Sequence, residues 1–204
     1  MLLFFAAAAS AQQVYSESDP GVTAPRVIEK AGAEYTPEAR LARLEGSVAV
    51  RAIIETDGSI RDVFASRPLG LGLDENAIEA VKQWHFAPGT KNGEPVAVLI
   101  RVEVIFRMLT TRSDWHLTRA DFETPKGASR PIVLSANFPA PAMTTSSTIV
   151  TFDIDEQGNA VNASDLADVM KNWKFQPATQ DGKPIRVHAT FAFATGSIPE
   201  PSGN

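Results

Sequence analysis

The residues best suited to acid–base or metal chemistry in this chain are three histidines, His85, His116 and His188. None stands at a ligand spacing such as His-x-x-x-His, so no metal site is expected. His85 belongs to a string that recurs later in the chain with Lys174 in its place, which argues against a shared catalytic role. Hydroxyls cluster at Thr144 to Thr148, but no Gly-x-Ser-x-Gly elbow presents a nucleophile. Gly70-Leu71-Gly72 lacks the third glycine of a dinucleotide loop. Asp74 and Glu75 are explained by helix capping and the helix dipole. Cysteine is absent, which excludes disulfides, thiolate zinc sites, iron–sulfur clusters and cysteine nucleophiles. The expectation is a protein that is not an enzyme, with no cofactor and no metal. Trp84 and Trp173 could form an aromatic ligand cage, but each ends an apolar stripe and reads better as a packed core residue.

The remaining chemistry is that of the backbone. Val96 to about Met108 is a long strand-like run without proline, with Val96, Val98, Ile100, Val102, Val104 and Phe106 on one face. Leu99, Arg101, Glu103, Ile105 and Arg107 lie on the other. At a sheet edge such a strand offers unpaired N–H and C=O groups to an incoming strand. Arg101, Glu103 and Arg107 could then select among peptides. Alternatively the strand is central in its sheet, or pairs with a twin in this chain or another.

Bulk composition sets the frame for these elements. The 204 residues suffice for one large domain or two small ones, and 44% apolar with 21% charged residues is ordinary for a globular chain. Nineteen basic against 24 acidic residues give a net charge of −5, the wrong sign for a nucleic-acid groove or a polybasic membrane patch. Residues 1–11 hold a short apolar run, Leu2 to Ala9, and the triplet Ala9-Ser10-Ala11, which reads as a secretory signal cleaved before Gln12. The run is too short to span a bilayer. The alternative is a buried N-terminal helix. An exported, periplasmic protein is expected.

Two strings recur in one register. Trp84-His85-Phe86-Ala87-Pro88 is echoed by Trp173-Lys174-Phe175-Gln176-Pro177, and Asn92-Gly93-Glu94-Pro95 by Asp181-Gly182-Lys183-Pro184. Upstream, Glu55-Thr56-Asp57-Gly58 matches Asp155-Glu156-Gln157-Gly158, and Tyr35-Thr36-Pro37-Glu38-Ala39 has a looser echo at Phe138-Pro139-Ala140-Pro141-Ala142. Self-similarity of this kind indicates two tandem copies of one unit. In the first copy a helix over Pro37 to Leu44 precedes a strand from Gly46 to Glu55, a hairpin turn at Asp57-Gly58 and a strand from Ile60 to Ser66. Asp74 then caps a helix over Glu75 to Trp84, and the long strand closes the unit. The second copy is trimmed: a strand over Thr148 to Asp155, a helix of about two turns between Asp165 and Trp173, and a strand over Ile185 to Ala194. Its opening helix is interrupted by Pro139 and Pro141. Between the copies, residues 109–130 read as a linker, although Trp115 and Phe122 require that it packs somewhere.

The series Pro25-Arg26-Val27, Tyr35-Thr36-Pro37-Glu38-Ala39-Arg40, Glu45-Gly46-Ser47-Val48, Asp57-Gly58, Gly72-Leu73-Asp74, Trp84-His85-Phe86-Ala87-Pro88 and Gly93-Glu94-Pro95-Val96 closely resembles the TonB C-terminal domain. Trp-x-Phe-x-Pro between helix and last strand is its most specific part. The resemblance implies an α+β fold of two tandem small domains, each a three-stranded sheet packed against one or two helices. The expected division is 1–11 signal peptide, 12–24 N-terminal lead, 25–108 first domain, 109–130 linker, 131–196 degenerate second domain and 197–204 disordered tail.

TonB proteins are inner-membrane energy transducers whose C-terminal domain crosses the periplasm and grips outer-membrane transporters. The resemblance implies that a partner's short peptide, the TonB box, adds as a strand beside the last strand. The implied partner-binding residues are Glu34, Tyr35, Arg40, Val98, Leu99, Ile100, Arg101, Val102, Glu103 and Val104. The expected partners are peptide segments of outer-membrane receptors or other envelope proteins, with a homo-dimer or internal pseudo-dimer as further possibilities. The membrane helix and proline-rich spacer of full-length TonB have no counterpart in this sequence, so the binding end of such a molecule is what is expected here. Two other readings stand beside it: an assembly protein whose two last strands pair with each other, and a truncated energy transducer.

Overall fold

The computed structural model of the protein describes residues 13–108, 115–138 and 147–194. The expected signal segment 1–11, the interrupted helix around Pro139 and Pro141, the hydroxyls of Thr144 to Ser146 and the tail 197–204 lie outside the described residues.

The first unit is built on alternation. In chain order its elements are β1 (Val14–Ser16), β2 (Val22–Thr23), β3 (Arg26–Glu29), α1 (Pro37–Leu41), β4 (Gly46–Ile54), β5 (Ile60–Arg67), α2 (Leu73–Lys82), β6 (His85–Ala87), β7 (Gly89–Lys91) and β8 (Glu94–Phe106). Val48, Val50, Ala52 and Ile54 of β4 are fully buried, as is Val98 of β8, because one face of the sheet is covered. The sheet runs β2-β7-β8-β4-β5, with β1 added to β8. The expected three-stranded core is β5-β4-β8, and α2 packs against β4 and β5.

Both helices differ from their expected limits for local reasons. Thr36 caps α1 by accepting the Ala39 N–H at 3.1 Å, but the helix stops at Leu41 because Arg43 turns to a φ of 47° and sends Leu44 into the core. Helix α2 starts at Leu73 with left-handed Gly72 as its N-cap. Asp74 does not cap it: its carboxylate accepts the N–H groups of Leu69 and Gly70 at 2.6 and 2.9 Å, tying down the preceding loop. Trp84 lies just beyond the helix, 8% exposed, and its indole donates to the Ala31 carbonyl at 2.9 Å.

The second unit comprises β9 (His116–Glu123), β10 (Ile132–Ser135), β11 (Ser147–Ile154), β12 (Ala160–Val161), α3 (Ala167–Met170), β13 (Lys174–Gln176), β14 (Ala178–Gln180), β15 (Lys183–Ile185) and β16 (Val187–Ala194). Its main sheet runs β12-β11-β16-β9. Strand β9 lies within the span expected to be a linker, and Trp115 before it is 3% exposed. Helix α3 is one turn, shorter than the expected two. Among the described residues the two last strands, β8 and β16, do not pair with each other.

One continuous apolar core joins the units. Strand β9 reaches across: Leu117 N–H donates to the Arg43 carbonyl, Glu45 N–H to the Leu117 carbonyl and Ala120 N–H to the Leu69 carbonyl, at 2.9–3.1 Å. Beside it, Arg130 forms an ion pair with Glu38, a carboxylate left only 7% exposed. Within the described residues no helix is long and apolar enough to cross a membrane.

Candidate functional site

Strand β8 decides what a partner could meet. On one side it pairs antiparallel with β4 from Val98↔Ile54 to Phe106↔Gly46. On the other side it meets β7 over Glu94–Val96 and β1, in parallel, over Ala97–Leu99. Beyond Leu99 no strand among the described residues pairs with that second side. The expected edge is therefore part occupied and part open. Val98 and Leu99 are paired on both sides, whereas Ile100 through Phe106 pair with β4 alone.

The hairpin between β7 and β8 fixes which groups face outward. Asn92 and Gly93 have φ of 53° and 91°, the two-residue turn that sets Lys91 opposite Glu94 as a hydrogen-bonded pair. Hydrogen-bonding direction alternates along a strand. Continuing from Glu94, the N–H and C=O groups of Val98, Ile100, Val102 and Val104 point to the outer side, and those of Leu99, Arg101 and Glu103 point to β4. Pro95 fits this register, because it has no N–H and falls on the side where β4 has not yet begun. Val98, Ile100 and Val104 bury their side chains in the core while their backbones face the edge. A partner strand would find a stiff rail there.

The polar side chains of the strand form a surface cluster. Arg101 meets Glu103 at 3.3 Å, and Arg67 of β5 meets the same carboxylate at 3.0 Å. These pairs are exposed and contribute little to stability. They leave the Arg101 guanidinium on the edge strand itself, able to meet an acidic residue of a bound peptide, while Arg67 reaches Glu103 from β5 across β4.

The residues expected from the first helix gather at the far end of β8. The Tyr35 ring packs edge-on against Phe106 with centroids 5.4 Å apart, and its hydroxyl donates to the Leu44 carbonyl at 3.0 Å. Arg40 sits over that ring, 5.1 Å from its centroid. Burial raises the Tyr35 phenol well above its ordinary value; Glu45 adds to this and Arg40 opposes it. Glu34 is exposed, and its carbonyl accepts from Asn76 of α2 at 2.7 Å. Tyr35 and Arg40 thus flank the Phe106 end, some 20 Å along the strand from the segment held by β1. Sequence reasoning missed Val14, Tyr15, Ser16 and Lys91 as residues of this edge; three residues of strand leave no periodic signal.

The histidines are dispersed on β6, β16 and β9. His85 is exposed near Glu29 at 3.6 Å, His188 pairs with Asp153 across β16 and β11 at 2.9 Å, and burial lowers the pKa of His116 at the start of β9. A shallow pocket of about 150 Å³ lies between the units. Of its polar groups, Asp74 is engaged with the Leu69 and Gly70 amides, Asp121 with Arg119 and Arg130 with Glu38.

The family model of the Gram-negative bacterial TonB protein C-terminal matches residues 31–108. Protein TonB of Vibrio cholerae serotype O1 (strain ATCC 39315 / El Tor Inaba N16961) is 33% identical over 75 residues, which cover 36% of this chain and 31% of the relative. The chain therefore spans about a third of the length of that curated relative. The solution NMR structure of the Pseudomonas aeruginosa TonB CTD is 22% identical, with a TM-score of 0.34, over 48% of this chain and 96% of that one. Residues 31–108, from the segment before α1 to two residues past β8, are thus the part of this chain that is similar to the TonB C-terminal domain family.

Proposed function

We propose that this chain is an exported periplasmic binding protein, not an enzyme, that captures extended peptide segments of outer-membrane transporters or other envelope proteins in TonB-dependent transport. The observation that carries this reading is the outer side of β8 from Ile100 to Phe106, a regular strand with no strand paired to it among the described residues. Main-chain hydrogen bonds along that rail supply affinity, and Arg101, Tyr35 and Arg40 flank the bound segment and bias its sequence. The similarity of residues 31–108 to that family is the second support.

Residues 131–194 are read as a degenerate second copy. Trp173 donates its indole N–H to the Asn137 carbonyl at 3.2 Å as Trp84 does to Ala31, and β10–β13 repeats the bulged pairing of β3–β6. At Gly58 and Gly158, both at positive φ, an added Cβ would lie 2.3 and 1.9 Å from the carbonyls of Phe86 and Phe175. In this copy β16 already has β11 on one side and β9 on the other, so it serves as support and not as a second receptor.

Titration of the chain with TonB-box peptides from outer-membrane receptors, followed by backbone NMR, tests the reading. Shifts concentrated on the amides of Ile100, Val102 and Val104 are expected. No binding at millimolar peptide, with those amides already protected from exchange, would overturn it.

A further inference from the structure

The open part of the β8 edge begins where the chain's own β1 stops. Val14, Tyr15 and Ser16 pair in parallel with Ala97, Val98 and Leu99, so the outward groups of Val98 that would start a longer partner strand are already in use. What holds β1 is slight. It forms three residue pairs, Val14 is 37% exposed, and none of its residues belongs to the buried core. Lys91 sits over the Tyr15 ring at 4.0 Å. A turn then ends the strand, with Asp19 N–H donating to the Ser16 carbonyl at 3.0 Å and Ser16 N–H to the Asp19 carboxylate at 2.9 Å.

The chain just beyond is anchored independently. Strand β2 pairs with β7 through Val22↔Lys91 and Thr23↔Thr90, and Asn92 N–H donates to the Gly21 carbonyl at 3.1 Å. Strand β1 can leave while β2 and β3 stay in place. Because its tether is only a few residues long, it returns at an effective concentration in the millimolar range.

We infer that β1 is a resident strand that occupies the N-terminal part of the receptor edge in cis, and that a partner segment gains the full rail from Ala97 to Phe106 by displacing it. This rests on the reading of β8 as a strand-addition site. Displacement frees the outward hydrogen-bonding groups of Val98, so the partner inherits them and continues onto Ile100, Val102 and Val104. A partner pays for this only in apparent affinity, which falls by the fraction of time that β1 leaves the edge free. If β1 is docked nine-tenths of the time, the loss is about tenfold. Segment 13–19 thereby sets a threshold that weakly matched peptides fail to pass.

The test compares the parent chain with Tyr15→Pro, which breaks the strand, and Lys91→Ala, which removes the cation over the ring. A TonB-box peptide and a synthetic peptide of residues 13–19 are the two probes, read by amide shifts. The inference expects the TonB-box peptide to bind Tyr15→Pro about ten times more tightly than the parent, Lys91→Ala to fall between them, and the 13–19 peptide to compete on the Tyr15→Pro chain. Equal affinity for parent and variants overturns the inference and leaves the strand-addition reading intact. Weaker binding to a Tyr15→Pro chain whose spectrum is otherwise unchanged also overturns it, making β1 part of the platform. Failure of the TonB-box peptide to bind any of the chains overturns the reading itself, and the inference with it.

Discussion

Two strands of this chain are laid against the last strand of a unit, β1 on β8 and β9 on β16, and they are held very differently. Strand β9 makes seven antiparallel pairs with β16, from His116↔Ala194 to Glu123↔His188, while β1 makes three. Backbone pairing is the lesser part of the contrast, since each such hydrogen bond adds only about 0.5–1.5 kcal/mol net. The greater part is burial. Leu117 is fully buried, Ala120 is 3% exposed, and Phe122 packs edge-on against Phe191 at 5.6 Å. A fully buried Leu or Phe adds about 1.5–3 kcal/mol. What a strand buries, more than what it bonds, decides whether an edge is filled for good or left exchangeable.

The sharpest way to break that comparison is to disable each strand in turn. Leu117→Asp places an unpaired charge in the shared core and should abolish cooperative folding of the chain. Tyr15→Pro removes β1 from a half-exposed position and should lower stability by only about 1.4 kcal/mol, the free-energy equivalent of the tenfold gain in peptide affinity. Urea unfolding of both variants checks this. Comparable losses would mean that β1 is as structural as β9.

A smaller effect is expected at the ion pair that clamps β9 and β10 to the first unit. Arg130 and the Val133 N–H both donate to Glu38, the latter at 3.4 Å, and the Glu38 hydrogen bond raises the Arg130 pKa. Glu38→Ala leaves a half-buried guanidinium and a buried N–H without that acceptor, at a cost of about 1–3 kcal/mol. Hydrogen exchange should then quicken in β9 and β10 before it does in β4. If protection falls equally in β4, the two units unfold as one.

Much of the first unit was legible because each element states its own rule. Val48 to Ile54 alternate, Asp57-Gly58 and Asn92-Gly93 are turns only such pairs form easily, and Trp84 ends an apolar stripe. The neighbours of β8 were not legible: alternation tells which face of a strand is buried, and says nothing about which strand lies beside it. Strand β9 hid for a different reason. A bulge between Ala192 and Phe193 brings Leu117 and Ala120, three residues apart, to the same core, so the period of two is broken and a strand reads as a linker. Asp74 looked like a helix cap by position, but the loop amides of Leu69 and Gly70 took its carboxylate instead.

The smallest effect separates the two strands by pH. His116 opens β9, whereas β1 carries no histidine. Burial holds the His116 pKa below 6.5, and the nearby Glu45 carboxylate only partly offsets this. The folded chain therefore favours the neutral imidazole, and its unfolded counterpart takes up a proton first as pH falls. The stability His116 permits is fully present above about pH 6.5 and is lost as pH falls through the lower folded-state value. Asp153 does not confound this window, because its hydrogen bond with His188 lowers its pKa and moves its loss to more acid conditions. The melting temperature should decline modestly between pH 8 and pH 5.5, with exchange quickening first at the His116 end of β9. His116→Gln should flatten that decline and leave peptide binding at β8 unchanged in its pH profile. A decline of the same size in the His116→Gln chain would place the proton elsewhere and remove this distinction between the two strands.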